Sequence, residues 1–334
     1  MISAFLKKIS LGLLFVSGIS FAATPDYQAV VNKAYQLYKD DNNGTVANYI
    51  PELATYNPKY YGIVLVTTDG KVYQAGDTKL PFPVESLSKV FTVALLMQQS
   101  GSDLVSKDLG ANATGMPFNS VMAIEEQADH MENPLVNAGA IATVSLIQGK
   151  SSDDKWNKII GMMNSFSNNK LSVNQKVYKS ESDTNQHNQA IAELLESYGK
   201  LYGDPKEAVD LYTRQCSVNA TAYDLAVMGS VLANGGVSPL TDKQVINAQY
   251  VPKVLALMAT AGLYDNTGDW LYNVGLPAKS GVGGGMLAVM PGKFAIAVYS
   301  PPLDIHGNSV RGQEAIAYIA AQLNANIFTA QQPQ

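Results

Sequence analysis

The chain has 334 residues, of which 46% are hydrophobic and 15% charged, and its formal net charge is −5 at pH 7. These values are ordinary for a globular protein and exclude intrinsic disorder, and the mild acidity excludes the basic surface that nucleic-acid binding requires. A chain of this length forms one large domain or two smaller ones. Its single cysteine, Cys216, excludes an internal disulfide, and a lone cysteine is more often a small buried hydrophobe than a nucleophile.

The N-terminal stretch MISAFLKKISLGLLFVSGISFA has the pattern of a signal peptide. Two lysines precede an apolar run over residues 9–19, and the last three residues, SFA, give a small-x-small cleavage signature. A membrane anchor is the alternative, but the run is shorter than the roughly 20 apolar residues that span a bilayer. We predict a signal peptide at residues 1–22 and an exported protein, periplasmic or secreted, with no membrane contact after cleavage near Ala22. Cleavage removes two lysines and no acidic residue, so −5 becomes −7.

The next segment predicts a helix followed by a hairpin. Residues 26–39 have the apolar period of a helix. β-Branched residues predict a strand over Tyr61–Thr67, Asp69-Gly70 predicts a tight turn, and Lys71–Ala75 predicts the returning strand. A further helix is predicted to begin near Ser86.

The middle of the chain is helical and its end returns to strands. Six apolar helical runs are separated by polar, turn-rich stretches, and they cover Leu135–Gln148, Trp156–Phe166, Asn188–Tyr198, Pro205–Gln215, Ala220–Asn234 and Tyr250–Ala261. Strands are then predicted over Met286–Met290 and Phe294–Tyr299, joined by a Pro-Gly turn, and a closing helix over Gly312–Leu323.

This order predicts an α+β fold, in which strands from both ends of the chain pair into one antiparallel sheet flanked by helices. The sheet lobe would contain residues from about 26–85 and 275–330, and a helical lobe would contain about 86–274. A small-molecule site is expected in the cleft between the two lobes.

The three histidines narrow the chemistry. They occur singly, with no HExxH and no paired metal spacing, so a zinc hydrolase is disfavoured. No GxSxG elbow occurs, although a Ser-His-Asp triad stays open on composition alone. A hydrolase with this sequence is therefore expected to use a base other than histidine, and we predict no metal and no cofactor.

A serine and a lysine lie one helical turn apart in PVESLSKVFTVALLM, at Ser86 and Lys89. On a helix that begins near Ser86, the two side chains share a face, so the amine is expected to reach the hydroxyl. Burial among apolar neighbours disfavours the ammonium form, and a neutral amine accepts the serine proton. The S-x-x-K pattern is common by chance, however, and most copies are a helix cap with a solvated lysine.

A second motif strengthens the catalytic interpretation. The KSG of Lys279–Gly281 resembles the K-[ST]-G strand that faces the nucleophile in penicillin-recognising enzymes, which also carry S-x-x-K. The following glycines, GVGGG, suit close approach of a substrate to backbone amides in an oxyanion hole, and they are also compatible with a bulge or tight turn. Together the motifs indicate an acyl-transfer serine enzyme.

From about residue 27 to 322 the chain resembles the serine-dependent glutaminases, a family with the fold of serine β-lactamases and penicillin-binding proteins. The motifs that carry the resemblance are VANYIPELA, GDTKLPFPVESLSKVF, TGMPFNSV, ENPLVNAGAI, LYTRQCSV, LANGGVSP, GLYD and AKSGVGGGMLAVMPGK. The resemblance implies one glutaminase domain over residues 23–334 that hydrolyses L-glutamine to L-glutamate and ammonia. It also implies a homo-oligomer, a dimer or tetramer.

The resemblance assigns roles residue by residue. Ser86 would attack the side-chain amide with Lys89 as proton acceptor, and the amides of Ser86 and Val282 would form the oxyanion hole. Tyr264 would relay a proton to the leaving ammonia, with Tyr49 nearby. The amino-acid end of the substrate would be held by Asn137, Glu181, Asn188 and Tyr212, together with contacts from Ser86, Tyr264 and Val282.

Glu85 occupies a position where the family often has glutamine. A carboxylate beside Ser86 would raise the pKa of Lys89, or it would point away, because adjacent residues on a helix do not share a face. Two alternatives stay open. The S-x-x-K and KSG pair is also compatible with an acylase like the penicillin-binding proteins or β-lactamases, and Glu85 is compatible with a non-catalytic periplasmic amino-acid-binding protein.

Overall fold

Five antiparallel strands form the main sheet of the computed structural model, which describes residues 26–329. The strands are β1 (Gly62–Thr67), β2 (Val72–Gly76), β6 (Ala278–Ser280), β7 (Gly285–Met290) and β8 (Phe294–Tyr299), in the order β2-β1-β8-β7-β6. Strand β1 pairs with β8, from Gly62 opposite Tyr299 to Thr67 opposite Phe294. The predicted sheet with strands from both ends of the chain is confirmed. The predicted signal peptide lies outside the described residues.

A second, three-stranded sheet was absent from the prediction because its strands have only two or three residues. It contains β3 (Phe82–Pro83), β4 (Ser172–Val173) and β5 (Val218–Ala220), in the order β3-β5-β4. The Val84 amide continues this pairing by donating to the Val218 carbonyl at 2.8 Å. This sheet therefore anchors the segment immediately before Ser86 to the middle of the chain.

The described chain contains thirteen α-helices. They are α1 (Tyr27–Tyr38), α2 (Ser88–Ser100), α3 (Asp103–Asp108), α4 (Val121–Glu126), α5 (Asn137–Ser145), α6 (Ser152–Ser167), α7 (Gln175–Asp183), α8 (Gln186–Ser197), α9 (Pro205–Cys216), α10 (Ala222–Ala233), α11 (Val251–Ala261), α12 (Thr267–Asn273) and α13 (Val310–Gln322). The prediction missed α3, α4, α7 and α12, which are short, with six to nine residues each. The other helices agree with predicted runs to within a few residues.

Both faces of the main sheet are covered by helices. Alternate residues of a strand point to opposite faces: Val64 and Val66 pack toward α10, whereas Ile63 and Leu65 pack toward α1 and α13. Every residue of β7 and β8 is buried, because neither face meets solvent. This double cover explains why the strands read as continuous apolar runs rather than alternating ones.

Helix α2 lies inside the helical part of the molecule and is buried from Ser88 to Met97. A helix that is apolar on all sides has no solvent face, so it packs against neighbours all round, here α5, α6 and α11. Its length stays well below a bilayer-spanning helix, and none of the helices in residues 26–329 combines the length and apolarity that crossing a membrane requires.

Candidate active site

Ser86 lies in a 3₁₀ turn, Glu85–Leu87, that leads directly into α2. The α-helix therefore begins at Ser88, two residues later than a start at Ser86 would give. Glu85 has a φ of +50°, in the left-handed region that side-chain-bearing residues rarely adopt. Such strain persists only where the surrounding structure holds it. The turn thus presents Ser86 at the mouth of a buried helix, with the serine 6% exposed.

The loop after β6 lies against this turn, and two glycines permit the contact. A Cβ added to Gly281 would lie 2.6 Å from the Val84 carbonyl oxygen and 3.4 Å from the Ser86 amide nitrogen. A Cβ added to Gly283 would lie 2.3 Å from the Pro83 carbonyl oxygen. Between these glycines, Val282 is brought close to Ser86. Neither the Ser86 nor the Val282 amide donates to a backbone carbonyl in the described loops and turns, so both N–H groups are available.

Lys89 is fully buried on α2, and its Nζ donates to Asn137 Oδ1 at 2.7 Å. Burial lowers the pKa of Lys89 to about 8, although Cys216, Glu181 and Glu85 act in the opposite direction. Among the described residues no hydrogen bond joins Lys89 to Ser86, so the expected direct contact is not formed in this state. The amine is instead held by the first residue of α5, and its lowered pKa favours the neutral form that a base requires.

The Tyr264 hydroxyl faces Ser86 and donates to the Ser280 carbonyl oxygen at 3.3 Å. Burial raises the pKa of Tyr264, and the interaction with Ser86 opposes that rise. Tyr264 also has a φ of +58°. Lys279 Nζ lies 4.1 Å from the centre of its ring and donates to the carbonyls of Gly262 and Ser280 at 2.9 and 2.7 Å.

The predicted amino-acid-binding side chains come from four helices. Asn137 begins α5, and its Oδ1 also accepts from the Tyr212 hydroxyl at 2.9 Å, while its Nδ2 donates to Asn188 Oδ1 at 3.0 Å. Glu181 lies on α7 one turn after Val177, and these two are the buried residues of that otherwise polar helix. The arrangement is a chain of neutral amides and a phenol that ends near a buried carboxylate.

The Glu85 side chain points into the pocket rather than away from it. Its carboxylate, that of Glu181 and the Cys216 sulfur lie within 4.8 Å of one another. Of the two orientations left open by the sequence, the one that points away is not adopted, because Glu85 lies in a strained 3₁₀ turn and not on a regular helix. Burial, and then the charge of Glu181, raise the pKa of Glu85 well above its usual range; burial raises that of Glu181 to about 8. Each carboxylate has one buried oxygen without a hydrogen-bond partner, so the pair is suited to a cation such as an α-ammonium group.

These side chains line a pocket of about 100 Å³, far smaller than the roughly 300–1,000 Å³ of sites for drug-sized ligands. Its lining comprises Tyr49, Ile50, Glu85, Ser86, Phe118, Asn119, Asn137, Glu181, Thr184, Asn185, His187, Asn188, Tyr212 and Val282. Tyr49 lies at the rim and is half-exposed. Lys89 and Tyr264 are not part of the lining: Lys89 contacts Asn137, and Tyr264 faces Ser86. The structure thus brings all nine sequence-predicted site residues together.

A larger cavity of about 650 Å³ lies elsewhere, between the end of α10, α11 and the β7–β8 turn. Its lining is mainly apolar, with Leu232, Val251 and Leu255 among its residues, and it contains no ionisable side chain. Because perturbed titratable groups cluster at functional sites, we assign the active site to the smaller pocket.

The antiparallel sheet with helices on both faces, and the serine at the start of a buried helix opposite a KSG strand, define a serine-dependent hydrolase with the β-lactamase-like fold. The family model described as Glutaminase matches residues 44–328. The chain belongs to the glutaminase family and is a glutamine amidohydrolase.

Similar proteins match nearly the whole chain. The glutaminase of Colwellia psychrerythraea is 56% identical over 304 residues, which cover 91% of this chain and 98% of that protein. The solved structure of a probable glutaminase, YbaS, has a TM-score of 0.89 at 48% identity and covers 91% of this chain and 98% of its own. The Bacillus subtilis glutaminase YbgJ, solved as a covalent complex with 5-oxo-L-norleucine, has a TM-score of 0.80 at 29% identity and covers 90% and 98%.

Several groups at the site were missed by sequence reasoning. The Glu85 side chain points into the pocket, and Lys279 packs on the Tyr264 ring. Both features depend on backbone geometry that the apolar periodicity of a sequence does not describe. Phe118, Asn185 and His187 line the pocket from loops and helix ends. The TGMPFNSV motif contains Phe118, so its side chain was within reach of motif reading; the other two had no such signal.

Proposed function

We propose that this glutaminase hydrolyses L-glutamine through an acyl-enzyme on Ser86, with Lys89 as the base. The observation that carries the proposal is one small pocket with two ends. At one end are Ser86, two available backbone amides and a buried amine with a lowered pKa. At the other end are two buried carboxylates with unpartnered oxygens. The first end suits acyl transfer to a side-chain amide, and the second suits the ammonium of an amino acid.

In the acylation step, Ser86 Oγ bonds to the δ-carbon of glutamine while its proton passes to the neutral Lys89 amine. The carbonyl oxygen gains negative charge between the amides of Ser86 and Val282, which stabilise it. The C–N bond then breaks, and the nitrogen leaves as ammonia with a proton relayed from Lys89 through Tyr264. Water then attacks the acyl ester, and the proton transfers of the acylation step run in the opposite direction. L-Glutamate is released and the Ser86 hydroxyl is restored.

The amino-acid end is recognised by charge and by neutral donors. Glu181 accepts the α-ammonium, and Asn137, Asn188 and Tyr212 supply donors to the α-carboxylate. Arg214 and Arg311 do not line the pocket, so the carboxylate is held without a bidentate guanidinium. The donors to the α-carboxylate are uncharged, so the charged groups of the pocket are its two glutamates. The pocket therefore favours a ligand that carries an ammonium group.

Two rival functions can be tested on the same purified protein. A penicillin-binding protein or β-lactamase would be labelled at Ser86 by a fluorescent penicillin, which the small polar pocket disfavours. A non-catalytic amino-acid-binding protein would bind glutamine in calorimetry without ammonia release. The catalytic function requires ammonia and glutamate from glutamine and no penicillin labelling.

The covalent step is tested with the electrophilic analogue 6-diazo-5-oxo-L-norleucine. We expect one equivalent of label, found by peptide mass spectrometry on Ser86, because this serine lines the pocket next to two available backbone amides. Cys216 is the other nucleophile within the carboxylate cluster, but burial raises the pKa of its thiol and keeps it protonated. Label on Cys216, or no label while glutamine is turned over, would contradict the Ser86 acyl-enzyme.

The pH profile should depend on Glu85. Lys89 and Glu181, both with a pKa of about 8, must lose a proton to act, so kcat/KM is expected to rise with pH up to about 8 and then level. Burial raises the pKa of Glu85 itself, so Glu85 raises the pKa of Lys89 only once it has lost its own proton. Glu85→Gln removes that charge, and the upper part of the acidic limb should move to lower pH. The control is Glu132→Gln, which changes a buried carboxyl outside the pocket. If the acidic limb of Glu85→Gln lies at the same pH as in the wild type, or at a higher pH, the coupling is refuted.

We further propose export, with removal of residues 1–22, and assembly of identical chains into a dimer or tetramer. The lysine-flanked apolar run over residues 9–19 supports export, and resemblance to the glutaminases supports the oligomer. Fractionation of cells followed by mass spectrometry of the mature N-terminus tests the first, and light scattering of the purified enzyme tests the second.

A further inference from the structure

A short loop between β8 and α13, residues 304–308, lies next to Val282 and Tyr264. A Cβ added to Gly307 would lie 3.5 Å from Val282 Cγ1 and 3.7 Å from Tyr264 Cε2. Gly307 therefore lies next to both the residue assigned to the oxyanion hole and the one assigned to the proton relay. None of the reactions described above uses a side chain of this loop.

The loop is held in one conformation by its own hydrogen bonds. Asp304 Oδ1 accepts from the amides of His306 and Asn308, each at 2.9 Å, and its Oδ2 accepts from Gln313 at 2.8 Å. Asn308 Oδ1 accepts from Ser280 Oγ at 2.5 Å, which ties the loop to β6. The loop is thus a rigid support fixed to α13 and to the KSG strand.

One contact between two polar side chains connects this support to the turn that carries Tyr264. His306 Nδ1 lies 3.1 Å from Asp265 Oδ2, and both side chains are partly buried, at 34% and 27% exposure. Asp265 directly follows Tyr264 in the 3₁₀ turn Tyr264–Asn266. Since Tyr264 itself has the left-handed φ of +58°, its conformation needs support from surrounding contacts.

We propose that the His306–Asp265 pair is a positioning clamp that holds the Tyr264 hydroxyl beside Ser86, an inference that rests on the proton relay proposed for Tyr264. The pair fixes the residue that follows Tyr264, while Lys279 lies against the Tyr264 ring. Neither His306 nor Asp265 lines the pocket, so both act through Tyr264 and are positioning residues. A partly exposed pair of side chains such as this one adds little to the free energy of unfolding. Its loss should therefore lower the rate of the chemical step rather than the stability of the fold.

The test uses two substrates that differ in their leaving group. Glutamine needs a proton on its nitrogen before ammonia leaves, whereas the γ-methyl ester of L-glutamate releases an alkoxide that depends much less on a proton donor. In Asp265→Asn and His306→Asn we expect kcat on glutamine to fall about tenfold with KM changed less than twofold. We expect kcat on the ester to fall no more than about twofold, and the double variant to lose no more than either single variant, because the two residues act as one unit.

The control is His130→Asn, the same substitution at a histidine that stacks on Tyr198 outside the pocket; it should leave both substrates unchanged. Circular dichroism and thermal unfolding verify the fold of each variant, and Asp265→Asn, which is isosteric, carries the test should His306→Asn unfold. Unchanged kcat on glutamine, equal losses on amide and ester, or a change in KM alone would overturn the clamp. Tyr264→Phe separates this outcome from failure of the relay itself: full activity in that variant would overturn the relay.

Discussion

Replacing Ser86 by alanine is expected to lower kcat on glutamine by about 10⁴-fold or more, because no acyl ester forms without the hydroxyl. The fold should survive. Within the described residues Ser86 Oγ has no hydrogen-bond partner apart from its approach to Tyr264, so its loss leaves no buried structural group unsatisfied. Ammonia release in single-turnover and steady-state assays measures the effect, and calorimetry should show that glutamine still binds.

The matched control for this loss is Ser230→Ala. Ser230 is a fully buried serine on α10 whose hydroxyl donates to the Val227 carbonyl at 2.7 Å, outside the pocket. The same substitution there should keep full activity, because it removes a similar buried hydroxyl without touching the chemistry. Ammonia release at the wild-type rate from Ser86→Ala would show that another group is the nucleophile.

Replacing Lys89 by methionine is expected to lower kcat by about 10³-fold or more, because the base that accepts the Ser86 proton is removed. Methionine fills a similar volume, and Asn137 Oδ1 keeps the Tyr212 hydroxyl as a donor. Thermal stability should be unchanged or higher, since removing a buried amine also removes its desolvation cost. The residual activity should lose the contribution of Lys89 to the acidic limb and keep that of Glu181.

Lys155→Met provides the comparison for a lysine of similar type away from the site. Lys155 pairs with Glu207 at 2.6 Å and is 15% exposed, so its replacement should affect stability slightly and leave the pH profile intact. Retention of more than a tenth of wild-type kcat by Lys89→Met, with the same acidic limb, would exclude Lys89 as the base.

The sheet and most helices were predictable because they depend on short-range patterns. Continuous apolar runs and a Pro-Gly turn define β7 and β8, and apolar periodicity defines α9 and α10 to within two residues. Strands β3, β4 and β5 were not predictable, since two or three residues are too few for a period. Helix α7 was missed for a related reason: its buried face consists of Val177 and Glu181 in an otherwise polar sequence.

The site was predictable only in part. S-x-x-K and KSG predict which groups react, and the resemblance to glutaminases predicts the amino-acid-binding residues. The direction of Glu85 was not accessible, because it depends on a left-handed residue before α2. The bond from Lys89 to Asn137 joins residues 48 positions apart, and the pair between His306 and Asp265 joins residues 41 apart. Contacts of this range leave no periodic trace in one sequence.

By itself, the sequence determined the class of fold and membership of a family, and it predicted a serine nucleophile with its lysine, because these follow from local propensity and from long contiguous motifs. Only the tertiary structure decided that Glu85 shares the pocket with Glu181, that Lys89 is held by Asn137, and that a loop before α13 supports Tyr264. The physical reason is that pKa values and side-chain directions are set by which distant segments exclude water together. Such desolvation exists only once the chain has folded.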